Sequence, residues 1–132
     1  MQPFAKKILN FFRGTLGSEA GSVRLETPWF TLVLDAQPGL AAKGKEVLLG
    51  VRPHDLTLVD PGQADAVARV DVIQPLGSEL LVPLHLSGPT GETPATTMLP
   101  PETKIRVDEQ VGVRFRRDRL HLFDAGTGVR LN

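Results

Sequence analysis

Short runs in which apolar and polar residues alternate recur along this chain, with turn residues between them roughly every 8–12 positions. Side chains on a strand point alternately to the two faces of a sheet, so this pattern predicts an all-β barrel or sandwich. Residues 4–12 fit a helical turn or a leading strand, and the β-branched and aromatic residues of 8–12 favour the strand. About nine or ten strands are expected, the others over 22–26, 29–34, 46–52, 55–59, 66–74, 79–86, 96–99, 111–116 and 120–123.

Turn residues predict how neighbouring runs connect. The runs 22–26 and 29–34 are expected to form one hairpin, and 111–116 and 120–123 a second. Residues 87–91 predict a tight turn, and 35–45 a loop. The long run 66–74 is interrupted by Pro75-Leu76-Gly77-Ser78, where proline removes a ladder donor and glycine tolerates a bend. The interruption predicts a corner of a small barrel.

Composition excludes several kinds of function. The 132 residues suffice for one domain, and 13 glycines with 11 prolines fit a turn-rich fold. Fifteen basic and fifteen acidic residues cancel, so nothing concentrates polyanions over the whole surface. The absence of cysteine excludes disulfides, thiolate catalysis and cysteine-ligated zinc. No apolar run approaches the roughly 18 residues of a membrane span, and we expect a cytoplasmic protein.

Motifs for catalysis or metal binding are incomplete. Residues 39–46 nearly fit the phosphate-binding loop, but Glu46 replaces the hydroxyl residue that would bind magnesium, and a strand follows where a helix is needed. The segment 86–90 begins like the LSGGQ element of ABC-transporter ATPases, but Pro89 favours a turn. The three histidines lack metal-site spacing, so neither catalytic nor metal-binding residues are expected.

One basic cluster stands out near the end of the chain. Alternation places Arg114 and Arg116 on one outward strand face, with Arg117 and Arg119 near the turn. A nucleic-acid barrel would combine such a face with stacking aromatic rings, but Phe115 is expected to point inward and the chain has no tyrosine. The cluster therefore favours a solvated or subunit-facing surface, balanced by Asp108, Glu109 and Asp118.

Four segments resemble one family in the same order. Residues 49–56, LGVRPHDL, resemble the GxRPExL element in the C-terminal domain of ABC-importer ATPases, and 70–79, VDVIQPLGSE, resemble the VxVVEPLGSE strand–bend–strand that follows it. Residues 113–128 resemble the terminal LHLFDxxTG hairpin, and 10–14 the opening NFLxG strand. Together these segments are similar to the transport-associated OB (TOBE) domain of maltose, glycerol-phosphate, polyamine and sulfate importer ATPases.

The resemblance implies one or two small OB-type barrels, built from residues 8–60 and 66–131 as a single domain. It implies a non-catalytic domain appended to an ATPase, which supports subunit dimerisation and receives regulatory proteins or small ligands. ATP and magnesium would bind the missing ATPase half, so no cofactor is expected in this chain. The expected partners are an ABC ATPase subunit and its membrane permease complex, at the inner face of the membrane. Met1 lies just before the domain's expected start, which fits an excised fragment or a short gene product.

The family motifs suggest a ligand or partner surface, although a purely architectural role is the favoured interpretation of both. His54 replaces the usual glutamate of the Arg-Pro-Glu element, while Asp55 remains acidic. Backbone N–H groups and hydroxyls near the bend could capture a small anion. Two alternatives to the accessory domain stay open: a stand-alone molybdate- or tungstate-type oxyanion binder and, less favoured, a nucleic-acid OB module. The candidate surface comprises Arg52, Pro53, Asp55, Gln74, Gly77, Ser78 and Glu79.

Overall fold

A computed structural model describes residues 9–19, 22–35 and 45–132, and within these ranges the protein is all-β, as predicted. No helix in the described ranges is long and apolar enough to cross a membrane. Short 3₁₀ turns at Pro53–Asp55, Pro61–Gln63 and Arg117–Arg119 connect some of the strands. In the described part of the chain the strands are β1 (Asn10–Glu19), β2 (Ser22–Glu26), β3 (Thr31–Asp35), β4 (Glu46–Val51), β5 (Leu56–Val59), β6 (Ala66–Val70), β7 (Gln74–Pro75), β8 (Leu80–Leu86), β9 (Thr93–Leu99), β10 (Gln110–Phe115) and β11 (His121–Asp124).

The strands form two antiparallel sheets. The first has the order β11-β4-β1-β2-β3, and the second the order β5-β10-β6-β8-β7, with β9 also paired to β8. The expected hairpin of β2 and β3 is confirmed, as is the turn over 87–91, where the Gly91 N–H donates to the Gly88 carbonyl at 3.2 Å. The two predicted parts of the domain, residues 8–60 and 66–131, do not correspond to the two sheets. Strand β5 of the first part lies in the second sheet, and β11 of the second part lies in the first sheet.

The predicted hairpin of 111–116 with 120–123 is wrong. Strand β10 is already paired on both sides, with β5 and with β6, so it has no free edge to offer β11. Strand β11 instead pairs with β4, where His121 lies opposite Gly50. The 3₁₀ turn Arg117–Arg119 thus carries the chain from one sheet to the other.

The predicted long strand 66–74 ends early, at Val70. Its partner strand β8 contains Pro83, which has no N–H to donate, and the Pro83 carbonyl accepts from the N–H groups of Asp71 (2.9 Å) and Val72 (3.5 Å). Pairing resumes at Gln74, so three residues on one strand oppose two on the other. This β-bulge bends the sheet before the predicted corner is reached.

One apolar core joins the two sheets. Phe12 of β1 packs edge-on against Phe30, with ring centroids 5.2 Å apart, and against Phe115 of β10, at 5.9 Å. Such edge-to-face aromatic pairs add stabilisation beyond their buried area. All three rings are buried, so the strands of both sheets are fixed by a shared aromatic contact.

One buried polar side chain bonds across the two sheets, and a second ties β9 to the turn after β4 and to the start of β5. The buried Asn10 donates through Nδ2 to the Thr96 carbonyl and accepts from the Thr96 N–H through Oδ1, each at 2.8 Å. The buried Thr97 hydroxyl lies 2.8 Å from the Leu56 carbonyl and 3.2 Å from that of Pro53. Strand β9 is therefore hydrogen-bonded both to β1 and to the segment Pro53–Leu56.

Candidate functional site

Residues 52–55, which we call the Arg-Pro element, follow β4 and contain a tight 3₁₀ turn. Pro53 and Asp55 are buried, and the Asp55 N–H donates to the Arg52 carbonyl at 2.9 Å. The turn is pinned from the other sheet, because the Asp55 carbonyl accepts from the Arg116 N–H at 3.2 Å. Arg52 and His54 are exposed. The element thus presents a cation and an imidazole to solvent while it buries a carboxylate.

The bend after β7 is a reverse turn on the surface. The Leu76 N–H donates to the Glu79 carbonyl at 2.8 Å, and Gly77 has a φ of +93°, which glycine adopts without strain. Gln74, Gly77 and Ser78 are exposed, and a Cβ added at Gly77 would meet no atom within 4 Å. Leu76 is 48% exposed, so the bend presents an apolar side chain among polar groups.

A side-chain hydrogen bond joins the Arg-Pro element to the bend. His54 Nε2 lies 2.6 Å from Glu79 Oε2. Both residues belong to the segments that carry the family resemblance, and they lie 25 residues apart in the chain. The histidine that replaces the usual glutamate is therefore the residue that links the two segments.

Two of the four arginines in the basic cluster near residue 116 pair with carboxylates. Arg114 and Arg116 are exposed on one face as predicted, and Arg116 pairs with Asp118 at 3.2 Å, which lowers the pKa of Asp118. Arg117 makes a two-bond contact with Asp65, at 2.9 Å for each bond. Burial raises the pKa of Asp65, but the hydrogen bonds from Arg117 and the Phe115 N–H outweigh it and the pKa lies below its usual value.

Other acidic residues are engaged elsewhere or held in local turns. Asp108 lies 3.4 Å from Arg69 rather than beside the basic cluster. The Lys45 ammonium lies 2.9 Å from Asp124, and together with the N–H groups of Thr127 and Gly126 it lowers the pKa of Asp124 to about 2. No group of three or more histidine and acidic side chains in the described ranges is arranged to hold a metal ion.

Residues 39–44 of the phosphate-loop-like segment lie outside the described residues, while Glu46 opens β4. The contact of His54 with Glu79 was missed from the sequence because the two residues lie 25 positions apart and meet only in the folded chain. The role of Asn10 was missed for a similar reason, since its partner Thr96 is 86 residues away. The available signal for the role of Asn10 was its position as a polar residue at the start of an apolar strand.

The family model and the curated relatives agree on the family of this chain. The family model described as the TOBE domain matches residues 49–123. The chain is similar to the ABC transporter ATP-binding protein y4oS of Sinorhizobium fredii, with 31% identity over 124 residues, which is 93% of this chain and 31% of the relative. It is also similar to the sn-glycerol-3-phosphate import ATP-binding protein UgpC 1 of Rhizobium johnstonii, with 28% identity over 91% of this chain and 31% of the relative.

The chain spans less than a third of the length of these curated relatives. Among solved structures, it resembles the cytoplasmic molybdate-binding protein ModG with molybdate bound, at a TM-score of 0.65. That match has 20% sequence identity and covers 91% of this chain and 95% of the other. At that identity the likeness establishes the fold alone, and it agrees with the predicted OB-like architecture.

Proposed function

This chain belongs to the TOBE domain family, and we propose that it is a non-catalytic accessory domain of an ABC-importer ATP-binding protein. In this role it supports association of the ATP-binding subunits and the regulation of import. It would work at the inner face of the membrane, held there through the ATP-binding subunits and the permease. ATP and magnesium would bind to the ATPase part and not to this chain.

The similarity to ATP-binding proteins over nearly the whole chain is the observation that carries this proposal. It runs through 93% of the chain for y4oS, so it includes the strands outside the family model as well as those within it. The bend supports the proposal physically, because an exposed Leu76 beside the polar Ser78 and Glu79 is a mixed surface of the kind found at protein interfaces.

Sedimentation with the ATP-binding subunit of the same transporter tests this function. We expect the chain to co-sediment with that subunit and Leu76→Asp to weaken the association at least tenfold. Val33→Asp is the matched control, since Val33 is also an exposed apolar residue (55%) but lies on β3 in the other sheet. No association of the unaltered chain, or equal weakening by both variants, would contradict the proposal.

A second candidate is a stand-alone binder of small oxyanions. The observation that favours it is the shared fold with ModG, which matches 95% of that protein's chain. Gly77 and Ser78 are exposed. Their backbone N–H groups and the Ser78 hydroxyl are the groups proposed to bind the anion.

Thermal unfolding in the presence of molybdate, tungstate, sulfate or phosphate separates the two candidates. A ligand that binds only the folded state stabilises it by RT ln(1 + [L]/Kd). The oxyanion function predicts a rise in Tm that Ser78→Ala reduces and that sodium chloride at equal ionic strength does not reproduce. No rise with any of the four anions at millimolar concentration would remove this candidate.

A further inference from the structure

A cleft of about 510 Å³ opens on the first sheet, where β1 passes the segment that joins β2 to β3. Its lining includes Pro28 and Trp29 from that segment and Arg13 and Thr15 from β1. Binding pockets for small molecules span roughly 300–1,000 Å³. The cleft is therefore large enough to hold a small organic ligand.

Trp29 is fixed in its place beside the cleft by three contacts. Its ring lies 6.3 Å from that of the buried Phe12. A Cβ added at Gly88 would lie 2.8 Å from Trp29 Cδ1 and 2.6 Å from the Pro28 carbonyl, so the backbone at Gly88 packs closely against this segment. The Thr27 hydroxyl accepts from the Trp29 backbone N–H at 3.2 Å. The indole is thus a rigid wall of the cleft.

The indole N–H of Trp29 is buried and has no hydrogen-bond partner among the described residues. An unpaired buried donor costs free energy, and folded proteins keep few of them. A phenylalanine at this position would not carry that cost. Since functional sites are where proteins keep such locally unfavourable groups, the tryptophan is better explained by the ring face that it offers to the cleft than by packing alone.

The polar part of the lining comes from three neighbouring strands. Thr15 of β1 lies opposite Glu26 of β2 on one side and opposite Glu46 of β4 on the other. Directly paired residues in a sheet point to the same face, so the two carboxylates flank the Thr15 side chain. All three residues are exposed and line the cleft. They present several hydrogen-bond acceptors and one hydroxyl donor in a row.

The charges of this polar wall are paired within the protein. Arg13 Nη1 lies 3.4 Å from Glu46 Oε2, and Arg24 Nε lies 3.1 Å from Glu26 Oε1. Two balanced ion pairs give little net attraction for a charged ligand. A neutral ligand with several hydroxyl groups can donate to the carboxylates and accept from the Arg13 guanidinium while both pairs stay intact. The wall therefore favours an uncharged polyhydroxy compound.

We propose that this cleft binds a neutral saccharide through one pyranose ring. One face of a pyranose carries mainly C–H bonds and packs on the apolar face of the Trp29 indole, while the ring hydroxyls bond to Glu26, Glu46 and Arg13. An aromatic wall with a few oriented polar groups is the usual composition of a small-molecule site. Binding at this cleft needs no ATPase subunit and does not involve the bend at Gly77, so it stands or falls independently of both proposed functions.

The fluorescence of Trp29 reports binding at the cleft itself, because the chain has one tryptophan and no tyrosine. Methyl glucopyranoside is the probe, since it has one uncharged ring with several hydroxyls. We expect a saturable change in the Trp29 emission. Glycerol, which has hydroxyls but no ring face, should produce no saturable change at equal concentration. The glucuronic acid and glucosamine analogues, which carry a negative and a positive charge, should bind more weakly than the neutral probe.

Two variants and a matched control locate the response. Glu46→Gln should lower the affinity about tenfold, because a hydrogen bond to a carboxylate is stronger than one to a neutral amide. Trp29→Phe, followed by calorimetry, should lower it about threefold or more, because a phenyl ring offers a smaller face. Asp118→Asn should leave it unchanged. Asp118 is also an exposed carboxylate paired with an arginine, but it precedes β11 and lies towards the end of β4 opposite Glu46.

Several results would overturn the proposal. The first is a Trp29 emission that shows no saturable change with methyl glucopyranoside, or the same change with glycerol. The second is an unchanged affinity in Glu46→Gln, or an equal loss in Asp118→Asn. The third is tighter binding of either charged analogue than of the neutral probe, because the cleft would then recognise a charge and not a neutral ring.

Discussion

The side-chain amide of Asn10 carries one of the few polar connections between the two sheets. Asn10→Ala leaves both the N–H and the carbonyl of Thr96 without their partners, each of which was bonded at 2.8 Å. An unsatisfied buried polar group costs about 1–3 kcal/mol, so two such groups predict a loss of about 2–6 kcal/mol in the free energy of unfolding. For a domain whose total stability is roughly 5–15 kcal/mol, the loss is large.

Urea unfolding followed by the fluorescence of Trp29 measures this loss. Trp29 is the single tryptophan, and its ring lies 6.3 Å from that of Phe12 in the core. Thr96→Val is the matched control, because it keeps the backbone groups that Asn10 contacts and a branched side chain. It should change the free energy of unfolding by less than about 0.5 kcal/mol. Asn10→Asp should cost at least as much as Asn10→Ala at neutral pH, since it buries a carboxylate with an oxygen facing the Thr96 carbonyl.

The argument would be refuted if Asn10→Ala unfolded within about 0.5 kcal/mol of the unaltered protein. Hydrogen exchange gives an independent check, because the Thr96 amide should lose protection in Asn10→Ala while core amides of β8 keep theirs. Unchanged protection at Thr96 would mean that water or another group satisfies this amide.

Three further predictions test the fold and its electrostatics. Thr97→Val removes the buried hydroxyl that binds the Arg-Pro element and should cost about 1–3 kcal/mol in urea unfolding; no loss would mean that the hydroxyl does not hold the element. Gly112→Ala places a Cβ within 2.7 Å of the Val59 carbonyl and should destabilise by about 1–3 kcal/mol or more, whereas Gly62→Ala, in open space, should be nearly neutral. Because the pKa of Asp124 is lowered from 3.8 to about 2, its stabilising contribution is present above about pH 4 and is lost as the pH falls towards 2. A plot of Tm against pH should therefore fall less steeply over this range in Asp124→Asn, and an identical slope would contradict the assignment.

Local patterns in the sequence were sufficient to predict most of the strands. Alternation marks which residues face the core, and it places the strand 22–26 at the bounds that the structure has. It also places Arg114 and Arg116 on one exposed face. These are properties of a single strand and its nearest turn, so they need no knowledge of partners.

Strand pairing could not be predicted in the same way. The run 120–123 has the spacing of a hairpin partner for β10, but the two edges of β10 are taken by strands much earlier in the chain. The place of β11 beside β4 depends on this exchange between sheets, so the local sequence contains no signal for it. The β-bulge opposite Pro83 could not be predicted for the same reason. Pro83 lies on β8, but the pairing that it interrupts is that of the neighbouring strand β6.

The most direct test of the accessory role is the dimer dissociation constant of the transporter's ATP-binding subunit. It is measured by sedimentation for the subunit that lacks this domain, with and without the added chain. The account predicts that the chain binds the subunit and lowers its dimer dissociation constant, and that Leu76→Asp weakens this effect while Val33→Asp preserves it. A dissociation constant that stays the same at saturating concentrations of the chain would contradict the account.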